Sequence, residues 1–146
     1  MSDLALLLGH AVLGFAALFA GTHHAAYAVL SALARPQPRA LRRFMWIAPA
    51  AVIAQAVSGL AIYPAYRIRV RAADLDQSAP VVAQLFEFKE HLAALALVLV
   101  IGASLAGGTD RRPEARWPIA ALSCAGAAFL WAAGLIGLYV TARHPL

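Results

Sequence analysis

Hydrophobic positions along the chain fall into four long runs separated by short stretches rich in Arg, Pro and polar residues. The first run covers 4–33, the second begins at about 41–44 and ends at 63–66, the third is centred on 92–106 and the fourth covers 117–141. A helix rises about 1.5 Å per residue, so about 20 apolar residues cross the hydrocarbon core of a bilayer. The third run falls short of that, because the uncharged stretch 92–106 has 15 residues. Residues before it must complete a span. That draws Glu87, Lys89, Glu90 and His91 into the interface or just inside it, where ionisable side chains point by default to function. The blander reading is that they snorkel to the headgroups.

The expected elements are therefore helices at about 4–33, 44–66, 86–107 and 117–141. Pro64 is expected to kink or stop the second, and Pro118 suits the first turn of the fourth, with Pro145 beyond its end. The segment 67–80 is the longest connection, and its Arg-Ile-Arg-Val-Arg alternation suits a short extended stretch. The fold class that follows is all-α, a single integral membrane four-helix transmembrane bundle over residues 1–146.

Composition supports the membrane setting. The chain has 62% hydrophobic and 13% charged residues, against about 25% charged in a soluble domain, and a mean hydropathy of +0.72. Asp3 in place of a basic start, and three further apolar runs, argue against a cleaved secretory signal in the first. Lone Cys124 excludes an internal disulfide and a cysteine-cluster metal site. No glycine-rich phosphate loop or Ser or Cys triad is visible.

The formal net charge of +5 sets topology in a chain this apolar rather than marking a nucleic-acid partner. One side carries Arg35, Arg39, Arg42, Arg43, Arg111, Arg112 and Arg116 against Asp110 and Glu114. The other carries Arg67, Arg69, Arg71, Lys89 and Arg143 against Asp3, Asp74, Asp76, Glu87 and Glu90. The first side is expected in the cytoplasm, with both termini outside a bacterial-type inner (plasma) membrane.

In the first helix, His10, Gly14, Ala17, Gly21 and His24 lie within roughly 40° of one another, since each residue turns the helix by about 100°. This stripe has an imidazole near each end and small side chains between. It suits a flat group lying against the backbone or close packing of another helix. Alternating helix direction places His10, Glu87, Glu90, His91 and His144 at similar depth on the outer side, near Tyr63, Tyr66 and Arg67. Glu87 and His91 are four apart and share a face, which Gly102 continues. His24 has no histidine opposite, only Leu105 and, more remotely, Met45. His23 and His24 read as packing or interface residues, and Gln55 and Ser58 as interhelical hydrogen-bonding groups. Trp46, Trp117, Tyr63, Tyr66 and Tyr139 read as an aromatic belt.

Three chemistries fit the outer cluster. A haem b would take His10 and His91 as axial ligands, Gly14 and Gly102 making room for the macrocycle and Arg67, Arg69 or Arg71 pairing with its propionates. A divalent metal ion would take His10, His91 and Glu87 or Glu90. Without a cofactor, Glu87, Glu90 and His91 would form a proton or ion relay or an Arg-paired network in a larger transport or assembly subunit. The leading expectation is a membrane haem protein passing electrons, an oxidoreductase or the membrane subunit of one. Its expected partners are membrane lipid and a redox partner protein or a second copy of the chain.

A resemblance of layout bears on this. Gly9-His10 followed by Gly14 and Gly21, Arg43-Phe44 opening the second helix, Ser58-Gly59-Leu60 near its end, and Lys89 at the start of the third resemble the four-helix bacterial membrane proteins of the copper-resistance D type. The layout is also similar to the small haem-binding protoporphyrinogen oxidases of bacteria, from which it departs at Thr22-His23-His24. The resemblance implies that His10 is a haem ligand and Lys89 a site residue.

Overall fold

The computed structural model describes residues 3–34, 38–109 and 112–143. Four long helices dominate it: α1, Asp3–Ala32; α2, Pro38–Tyr66; α3, Pro80–Thr109; and α4, Arg116–Arg143. Each is long and apolar enough to cross a membrane. Backbone groups with no water to bond must pair within their own segment, and a helix does this along its whole length. Among the described residues there is no strand.

The helices form a square bundle. α1 packs on α2 and α4, and α3 packs on the same two, most extensively on α4. α1 and α3 therefore occupy one diagonal. Large side chains point outward and small ones inward: Phe15 is 74% exposed and Trp46 75%, while Ala17, Ala20, Ala48, Val52, Ala96, Val100 and Leu130 form the core. This inverts the soluble pattern and matches packing in an apolar medium, where small residues let backbones approach. A Cβ at Gly21 would come within 2.6 Å of Leu130 Cδ1, and one at Gly126 within 2.9 Å of Val100 Cγ2. Glycine at these positions allows α1 and α3 to close on α4.

Several hydroxyls along the helices are satisfied locally. Thr22, Ser123 and Thr141 donate to the carbonyls of Leu18, Ile119 and Gly137, each one turn back, and such back-bonding hides a hydroxyl in apolar surroundings. Thr22 also accepts from Trp131 Nε1 at 3.0 Å, tying α1 to α4. α1 ends where Ala34 takes a left-handed conformation, φ 55°, a region that a Cβ disfavours.

Of the two outcomes expected at Pro64, a kink or a stop, the stop is ruled out, and the extended reading of the segment after α2 is corrected. Pro64 does not end the helix, which runs through it to Tyr66 and continues as a π-helical segment, Arg67–Leu75, and a single turn, Asp76–Ser78. The alternating arginines are therefore helical, not extended. The wider π-helical turn follows directly on the residues where Pro64 removes a donor and its ring crowds the preceding turn. α3 begins at Pro80, six residues before the expected 86, so Glu87, Lys89, Glu90 and His91 lie well inside a helix. Arg35, Asp110, Arg111, His144 and Pro145 lie outside the described residues.

Candidate functional site

The π-helical segment folds over one end of the bundle. Leu75 is fully buried and joins Tyr66 and Ala83 in a second small core, with Ile62, Val70, Val82 and Phe86 around it. That packing returns Arg71 to α3, where its guanidinium pairs with Glu87 and, at 3.4 Å, with Asp76. Arg67, expected beside a cofactor, is exposed.

Beneath this cap lies His10, half-buried on α1, bonded at both ring nitrogens to α2. Ser58 Oγ donates to the Gln55 carbonyl at 2.8 Å. Its hydrogen is thus committed, so in the 2.8 Å contact with His10 it accepts from Nδ1–H. Nε2 then carries the lone pair and accepts from the Gln55 amide nitrogen at 3.0 Å. The three side chains form one closed set, which fixes the tautomer. Gly59 makes room for the ring: a Cβ there would sit 3.1 Å from His10 Cε1. The expected interhelical roles of Gln55 and Ser58 are thus present, with His10 as their partner. Gln55 Oε1 is buried without a partner among the described residues.

From α3 the residue that enters this interior is Lys89. It lies 3, 7 and 11 residues before Leu92, Ala96 and Val100, all buried, on one helical face. Its ammonium sits 3.9 Å from the centroid of the Phe86 ring, and Phe86 stacks on Tyr66 at 4.0 Å with 19° between planes. The Lys89 stem passes 3.5 Å from where a Cβ of Gly137 would stand. Lys89 is within electrostatic reach of His10, and Glu90 of both Lys89 and Arg71. Tyr66, expected in the aromatic belt, is instead buried.

His91 is placed differently from expectation. It is exposed, and its Nδ1 bonds the Glu87 carbonyl at 2.8 Å on its own helix. Gly102 shares that outward face, with nothing within 4 Å of a Cβ there. The two do share a face, as their spacing predicts, but it is not the face that meets His10. Gly14 faces the Gln55 amide, 3.4 Å from a Cβ. Hence His10 and His91 are not brought together, and the Gly14 face is covered by protein. Among the described residues no group of three or more His, Cys, Asp or Glu side chains is placed to hold a metal ion, so the set His10, His91, Glu87 and Glu90 is not assembled.

At the opposite end His23 stacks on Phe44, 5.2 Å between centroids and 17° between planes, in a cluster with Phe19 and Tyr27. This accords with a packing role. His24 is fully buried, and neither ring nitrogen has a partner among the described residues.

No protein-family model, characterised protein or solved structure matches this chain. The layout resemblance therefore rests on its own residues. Of those, the structure places His10, Ser58, Gly59 and Lys89 at one end of the bundle.

Proposed function

We propose that the protein is a multi-pass membrane protein that transfers protons through the outer half of its bundle, as part of a proton-coupled transport or assembly unit. The carrying observation is that Lys89 shares the inward face of α3 with Leu92, Ala96 and Val100 and is within electrostatic reach of His10. A lysine on the inward face of a membrane helix is costly, and a packing role would be served by any apolar side chain. Glu90 and Glu87 collect protons at the capped end. Lys89 and then the Nε2 lone pair of His10 are the next basic groups inward. As Nε2 takes up a proton the ring becomes an imidazolium, and the same proton leaves again from Nε2 to water entering the bundle, because Nδ1–H stays on Ser58, whose own hydrogen is held by the Gln55 carbonyl. For Nε2 to accept, the Gln55 amide must swing away. The balance of basic residues favours a bacterial inner membrane with this end outside and Arg39, Arg42, Arg43, Arg112 and Arg116 in the cytoplasm.

The test is proton uptake into proteoliposomes under an imposed pH gradient. Wild type is expected to exceed empty vesicles, and Lys89→Met to lose about 100-fold of that excess while keeping its helical circular dichroism. Wild-type uptake equal to empty vesicles would sink the proposal.

A second reading, haem b on His10 with electron transfer, is favoured by the ring's tautomer. An imidazole donating Nδ1–H to a fixed acceptor with Nε2 free for a metal is the usual arrangement of a ligating histidine. The present packing does not fit a macrocycle between His10 and His91, because Gln55 covers the Gly14 face and His91 points outward. Haem would need Gln55 displaced and an axial partner other than His91. A reduced-minus-oxidised spectrum of purified protein decides: a Soret band lost in His10→Ala but kept in His91→Ala supports this form of the reading, and a colourless protein removes it.

A further inference from the structure

The core cluster of Ala17, Ala20, Ala48, Val52, Ala96, Val100 and Leu130 is wholly apolar and separates two polar layers. His10 and Lys89 lie on one side. On the other, one helical turn beyond Ala20 and Val100 on the same buried faces, lie His24 and Ser104. α1 and α3 run parallel on one diagonal, so equal steps from a shared layer bring these two residues to the same depth. His24 is 0% exposed and Ser104 7%, and both ring nitrogens of His24 and the Oγ of Ser104 are buried without hydrogen-bond partners among the described residues. Ala28, Ala103 and Ala120, buried at this end of the bundle, have no side-chain group with which to bond an imidazole, and the hydroxyl of buried Ser123 is given to the Ile119 carbonyl.

Buried polar atoms are almost always hydrogen-bonded to protein or to ordered water. One orphaned hydroxyl is a small exception. A fully buried imidazole orphaned at both nitrogens, with an orphaned hydroxyl in the same layer, marks a place built for something small that donates and accepts. Water has that chemistry. A histidine bonded to water at both nitrogens can take a proton at one and release the other's proton on its far side, so charge and protons balance.

We propose that His24 and Ser104, bridged by bound water, form a second proton station on the far side of the apolar layer from His10. This rests on the proton-transfer reading above, and it makes the apolar layer a gate that conducts only when wetted, as hydrophobic constrictions do in channels. The two imidazoles are 14 residues apart on one helix, about 21 Å at 1.5 Å per residue, so transfer between them needs that wetting.

Two measurements test it together. Proton uptake is measured in proteoliposomes of wild type, Lys89→Met, His24→Leu and the milder Ser104→Ala. Water-edited solid-state NMR of wild type with ¹⁵N-labelled histidine, assigned against His24→Leu, reports whether the His24 ring contacts water. The expected result is water contact at His24 and uptake lost in His24→Leu and reduced in Ser104→Ala, each still folded by circular dichroism. If His24→Leu fails to fold, Ser104→Ala and the NMR carry the decision. A dry His24 ring overturns the inference. So does full uptake in His24→Leu or Ser104→Ala while Lys89→Met is inactive, a result that leaves the outer-half reading standing. Wild-type protein without uptake overturns both.

Discussion

The two ends of the bundle treat a buried histidine in opposite ways. His10 has both nitrogens committed, to Ser58 and to Gln55, and sits beside Lys89 under a cap held by Arg71 and Glu87. His24 is more deeply buried and has neither nitrogen committed. Both lie on one face of one helix, so local sequence does not make the difference. The opposing helix does: α2 offers Gln55 and Ser58 at the level of His10, whereas at the level of His24 its polar residues, Arg42 and Arg43, are exposed, and Phe44 and Met45 stand 11 and 10 residues before Gln55. A polar group's neighbours, more than its own identity, decide whether it is a finished structural contact or a place still open to a ligand.

The largest effect that would break this comparison is on transport. Lys89→Met is expected to lower proton uptake by about 100-fold, the low end for loss of a proton-transferring group, whereas His91→Ala leaves uptake unchanged. Equal losses in both would mean that the outward face of α3 carries the protons. Next in size is stability at the His10 end. His10→Leu leaves Ser58 and Gln55 without their shared partner and is expected to cost about 2 kcal/mol, measured by unfolding in mixed micelles. A smaller change is expected at the cap. Glu87→Gln removes one of the two carboxylate partners of Arg71, leaving Asp76, at a partly exposed site and should cost about 0.5 kcal/mol, yet it should speed amide exchange over Arg67–Leu75, because the Arg71–Glu87 pair ties the segment to α3. The smallest effect sharpens the contrast. With water satisfying its ring, His24→Leu is close to neutral, within about 0.5 kcal/mol, whereas a dry and unsatisfied imidazole would make the same change stabilising by about 1–3 kcal/mol.

The four helices were legible because their apolar runs are long and the breaks between them are dense in Arg and Pro. The run through Pro64 into a π-helical segment was not, since a proline marks a weak point without saying whether the neighbouring turns absorb it. The facing of α3 was not legible either. Its apolar residues surround it on all sides, so periodicity names no inner face, and attention went to His91. Ala96 and Ala103 share a face with Lys89 and are buried, but Ala93 and Ala94 on the same helix are exposed, so residue size alone does not name that face either. Gln55 and Ser58 were readable as interhelical groups, but their partner was fixed only by the packing of α1 on α2. The orphaned state of His24 is a property of what surrounds it in three dimensions, and no spacing announces it.

The most direct test of the central claim is a double-mutant cycle on proton uptake with His10→Ala, Lys89→Met and the pair in one protein. Residues that act as a unit give grossly non-additive losses. The account predicts that the double variant takes up protons no more slowly than either single variant. Losses that multiply, or uptake that survives His10→Ala intact, would contradict it.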